Sequence, residues 1–164
     1  MKQRTIKIIS ISIGMLVYAS VESYTGPFND PGNGTIVDQR SGLVWQKCPN
    51  GQGTAGNQYT DCAVGTAVTS DWSNALAYCN ALNLNGITGW RLPSVKELVS
   101  LVDYSRPAPP FSNAVFFPNA GASYWTSTTH PSGTNKDQGY YVSFGVGTYD
   151  TIVKTTLLGV RCVR

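Results

Sequence analysis

Charge is scarce in this chain. Only 13% of its 164 residues are charged, against the usual quarter. Histidine occurs once, as His130. There is no Cys-x-x-Cys pair, no Gly-x-Ser-x-Gly elbow, no calcium-loop pattern and no internal repeat. Each absence removes a class of function. So few basic groups leave no electrostatic footprint for nucleic acid. A lone histidine with no acid–base partner at a recognisable spacing argues against a hydrolytic triad. The same histidine, with four cysteines at the wrong spacing, argues against a zinc site.

What is present suits an exported protein. Lys2, Arg4 and Lys7 precede a short apolar run, residues 8–18, broken by Ser10 and Ser12. Val17-Tyr18-Ala19 then offers small residues at a cleavage site, and Val21-Glu22-Ser23 a second. The pattern predicts a secretory signal peptide over 1–19, too short and polar to span a bilayer comfortably. No membrane span is expected after its removal. Cleavage leaves 9 basic and 9 acidic residues. Residues 20–90 hold 2 basic and 5 acidic groups, residues 91–164 hold 7 and 4. Gly is abundant at 17, while 41% hydrophobic and 11% aromatic content permits a core. One domain fits the length. An even cysteine count in an exported chain predicts two disulfides, with three pairings open on count alone.

The chain is organised around residues 71–103. Trp72, Ala75, Leu76 and Cys79 share one face of a helix capped by Asp71. Val95, Leu98, Val99 and Val102 do the same in a second helix. Ser94 and Glu97 form a capping box at its start, directly after Pro93. Before this stretch, residues 20–33 read as a flexible lead-in. Residues 34–38 and 43–47 read as a hairpin, with Ile36, Leu43 and Trp45 as core candidates. Residues 48–70 are polar and too long for an ordinary connection. Pairing Cys48 with Cys62 would hold them, which leaves Cys79 for Cys162. After the second helix come a Pro-rich loop, 104–122, and predicted strands at 123–129, 140–146, 149–154 and 157–163.

Three segments resemble the Lcl C-terminal domain family. Gly34-Thr35-Ile36-Val37-Asp38 with Ser41-Gly42-Leu43-Val44-Trp45-Gln46-Lys47 resembles its opening motif. Trp90-Arg91-Leu92-Pro93-Ser94 with Glu97-Leu98 resembles its central Trp-Arg-Leu-Pro motif, and Val160-Arg161-Cys162-Val163-Arg164 its terminal one. The resemblance spans residues 34–164. It implies a single secreted α+β domain, disulfide-stapled, with two short helices packed on an antiparallel sheet. The element order is also similar to the C-type-lectin-like architecture, which joins its first helix to its last strand by a disulfide. That likeness independently favours Cys79–Cys162. The family takes its name from the adhesive end of a bacterial collagen-like surface protein, whose domain binds sulfated glycosaminoglycans. This chain has no collagen repeat. The Glu-Pro-Asn and Trp-Asn-Asp signatures of sugar-binding C-type lectins are missing too, leaving Asp137, near Asn135, and Asp150 as the candidates for a cation.

Fold likeness does not carry function, which rests on the individual site residues. Trp90, Arg91, Ser94 and Glu97 are expected to be structural, with Arg91 pairing Glu97 or Asp103. Arg106, Lys136, Tyr141, Tyr149 and Lys154 are expected to contact ligand, because aromatic rings and cations stack on sugars and hold sulfates. Strand alternation sets Tyr140, Val142 and Phe144 against Tyr141 and Ser143. The sequence reading is a non-catalytic surface or secreted domain, without cofactor or metal. It is expected to bind a polysaccharide, such as a sulfated glycosaminoglycan, a host matrix component or a surface protein. The rivals are an enzyme resembling the formylglycine-generating group and a structural subunit of an envelope assembly.

Overall fold

A computed structural model describes residues 27–118, 123–131 and 133–164, apart from the side chain of Asn57. The expected signal, 1–19, lies outside the described residues. The fold is α+β, with two separate three-stranded antiparallel sheets rather than one. The first sheet runs β1 (Phe28–Asn29), β2 (Thr35–Asp38) and β3 (Val44–Gln46). β2 and β3 are the expected hairpin, with Ile36 opposite Trp45 and both fully buried. β1 corrects the expectation of a flexible lead-in up to residue 33. Phe28 pairs with Asp38, and its ring meets Phe116 and Phe117 at 5.7 and 5.1 Å. Two aromatic contacts of this kind offset the cost of ordering the segment.

The helices start where the caps place them, but α2 ends at Val99, short of the expected Val102. α1 (Trp72–Ala81) starts at Asp71, whose carboxylate accepts the Asn74 N–H. α2 (Val95–Val99) starts at Ser94 with both capping-box bonds made. A five-residue helix has little stability of its own. It is held from outside: Thr128 Oγ1 accepts the Val95 N–H, and the Pro93 carbonyl accepts the Ser127 N–H.

The second sheet is a meander of β4 (Ser123–Thr129), β5 (Gln138–Ser143) and β6 (Thr148–Val153). It divides the interior in two. Tyr124, Val142 and Phe144 face a cluster containing Ile36, Trp45, Leu98, Phe116 and Phe117. Trp125 faces a second cluster with Ala75, Cys79, Trp90 and Leu92, and Tyr141 and Ile152 pack against it. α2 therefore lies on one side of the sheet and α1 on the other.

The predicted last strand, 157–163, does not extend the meander. It is an extended segment that changes partner every residue or two. Leu158 bridges Ser70, Gly159 bridges Tyr124, and Val163 bridges both Trp45 and Arg91. Gly159 is required there, since a Cβ would meet the Tyr124 ring at 2.8 Å. This segment stitches the two sheets together. Cys79–Cys162 anchors it to α1, and Cys48–Cys62 closes the long polar loop.

Candidate binding groove

β5 and β6 pair residue for residue, so opposite side chains share a face. Val142 stands opposite Tyr149, and Tyr140 opposite Thr151. Val142 is buried in the first cluster. Tyr140 and Tyr149 consequently lie on the α2 side of the sheet, beyond the end of the core. α2 is too short to cover them. Between its outer face and the sheet lies a groove of about 440 Å³. Val95, Lys96 and Val99 form the helix wall, and Tyr140 and Tyr149 the sheet wall. Thr128, Thr129 and Pro131 form the end. The two tyrosine rings stand 6.2 Å apart at 50°, and Tyr149 is 53% exposed. His130 lies nearly parallel to Tyr140 at 6.2 Å.

The expected ligand contacts do not converge on this groove. Of the five, only Tyr149 lines it. Tyr141 is half-buried against the second cluster, on the opposite face. Lys154 is on that opposite face as well. Its ammonium sits 4.5 Å from the centre of the Trp72 ring and donates to the Lys136 carbonyl at 2.8 Å. The Lys136 side chain is exposed. Arg106 is half-buried in the turn after Asp103, its Nε buried without a hydrogen-bond partner. Tyr140, not the expected Tyr141, stands in the groove beside Tyr149. Lys96, Val95 and Val99 were missed as a wall. The spacing of Val95 and Val99 with Leu98 predicts a wholly buried face, yet only Leu98 in α2 is fully buried.

The central motif is structural. Arg91 donates to Glu97 through both terminal nitrogens, at 2.8 and 2.6 Å. The paired guanidinium, with the Ser94 bonds, pulls the Glu97 carboxyl down to about 2. Trp90 is buried, its Nε1 donating to the Ile87 carbonyl. Asp103 binds Ser105, not Arg91.

Arg161, assigned no role from the sequence, is 1% exposed. It donates to the carbonyls of Gln46, Lys47 and Pro118. Its guanidinium lies 5.3 and 5.6 Å from the Phe117 and Tyr124 ring centres. Desolvation lowers its pKa from the ordinary arginine value. A charged residue inside Val-Arg-Cys-Val was the available signal. Asp150 accepts its neighbour's Thr151 N–H, and among the described residues no three His, Cys, Asp or Glu side chains gather as a metal site.

No curated protein matches the chain. A family model, the Lcl C-terminal domain, matches residues 34–164. That span runs from the hairpin through both helices and both disulfides to the stitching segment, and the chain belongs to the Lcl C-terminal domain family.

Proposed function

We propose that this is a non-catalytic, exported binding domain that engages a polysaccharide through the groove between α2 and the second sheet. The observation that carries the reading is the pair Tyr140 and Tyr149, held open beside a helix too short to cover them. A concave, mostly apolar site with a few polar groups is the usual form of a ligand pocket. Two disulfides fit an oxidising compartment. No helix among the described residues is long and apolar enough to cross a membrane. A C-type-lectin-like arrangement is part of the same reading, supported by the bridge from α1 to the last extended segment.

The enzyme rival needs an accessible, reducible cysteine. Here every cysteine is in a disulfide and each is at most 3% exposed. The test is a glycan array probed with wild type and with Tyr140→Ala/Tyr149→Ala. Binding that disappears in the variant, at unchanged fold by circular dichroism, is the expected result. A variant that binds as wild type would move the site elsewhere. Binding confined to a host matrix protein or a surface protein would replace the polysaccharide.

A further inference from the structure

The groove's lining is aromatic and hydroxylic but nearly uncharged, and this bears on which polysaccharide it takes. Lys96 is the one charged side chain among the described lining residues, and it is exposed at the rim. A single exposed ammonium contributes little to holding an anion in water. Sulfate recognition gains its strength from several converging charge-assisted bonds, often from bidentate arginine. The cations that could supply them are elsewhere: Lys154 is committed to Trp72 on the opposite face, and Arg91 to Glu97.

The polar groups that do line the groove are neutral. Thr128 Oγ1 accepts from the Val95 N–H, which leaves its own hydroxyl proton to donate. Thr129 is exposed beside it. Neither the Tyr140 nor the Tyr149 phenol has a hydrogen-bond partner among the described residues. A pyranose ring presents an apolar C–H face and a rim of hydroxyls. The C–H face packs on an aromatic ring, and the rim meets hydroxyl donors and acceptors. A hydrocarbon would offer no partner to the two phenols, to Thr129 or to the Thr128 hydroxyl proton, and a sulfated sugar would bring a charge with one weak partner. Resting on the groove reading above, we propose that the groove binds uncharged pyranose residues of a neutral polysaccharide, stacked on Tyr149 and Tyr140. At about 440 Å³ it engages a short stretch of the chain.

The test is affinity electrophoresis of the purified protein in gels containing a neutral glucan, mannan or galactan, with heparin in parallel. Runs at about 50 and 500 mM NaCl separate charge from stacking, since the Debye length shrinks several-fold at high salt. Retardation by at least one neutral polymer, unchanged by salt, is expected. Tyr149→Ala weakens it at least about tenfold, whereas Tyr149→Phe, which keeps the ring, stays within about threefold. Tyr149 is exposed enough for both variants to fold. Retardation by heparin alone, salt-sensitive and lost in Tyr149→Ala, overturns the neutral sugar and leaves the groove reading standing. Neutral-polymer binding that Tyr140→Ala/Tyr149→Ala leaves intact overturns both. No retardation by any of the neutral polymers overturns the proposal.

Discussion

Arg91 and Arg161 carry the same guanidinium in opposite circumstances. The Arg91 side chain is 47% exposed and grips one carboxylate, while Arg161 is sealed among carbonyls and rings. Sequence reasoning found the exposed one, because a capping box and its neighbouring arginine lie within seven residues. It missed the buried one, whose carbonyl partners at Gln46 and Lys47 are more than a hundred residues away. An Arg91→Ala variant loses the guanidinium that pairs with Glu97. Glu97 keeps its Ser94 bonds in that variant, and solvent screens the pair. Arg91→Ala should cost about 1 kcal/mol at pH 7, or about 3 °C in melting temperature. The folded carboxyl, at about 2, lies below its ordinary 4.5. Its stabilisation is therefore present above pH 4.5 and lost as pH falls through about 2. Melting curves of wild type and Arg91→Ala should converge over that window. A gap that stays constant under acid would show that the ion pair is not the source.

At the scale of elements, the two bridges differ in what they close. Cys48–Cys62 spans 14 residues of sequence separation and Cys79–Cys162 spans 83. In the chain-entropy model these are worth about 3 and about 4.5 kcal/mol. The second also sits in the core beside Ala75 and Trp90, so removing it leaves a void as well. Urea unfolding of Cys48→Ser/Cys62→Ser and Cys79→Ser/Cys162→Ser should show the larger loss in the latter. The reverse order would mean that the polar loop, not the stitching segment, limits stability. Both helices, the hairpin and the meander were legible, because their signals are local: a cap, an apolar period, a turn between alternating runs. Residues 157–163 were not. Val160, Cys162 and Val163 are apolar enough to suggest a strand, but nothing in their own sequence says that each backbone group bonds a different element. Phe28 was missed for a related reason, since its partners Phe116 and Phe117 stand in a loop.

Across the whole molecule, the site depends on which face of the second sheet each residue takes, and that is set by the pairing of β5 with β6 rather than by composition. The charge count of residues 91–164 pointed to a basic C-terminal half. The fold then spends that surplus separately, on Glu97, on buried carbonyls and on Trp72, instead of gathering it. Family membership could not have shown this, since a family fixes the scaffold and not the ligand. Lys136 and Lys154 test the consequence. Lys154 lies over Trp72, so Lys154→Ala should lower stability by about 0.5–1 kcal/mol, as for a partly exposed cation–π contact. Lys136 gives Lys154 only its backbone carbonyl, so Lys136→Ala should change stability by no more than about 0.5 kcal/mol. Both variants should bind the polysaccharide retained by wild type with unchanged affinity, because neither lysine lines the tyrosine groove. Thermal melts and affinity electrophoresis on the same preparations would check this. A fully stable Lys136→Ala protein that no longer binds would move the site out of the groove to the loop that carries Lys136.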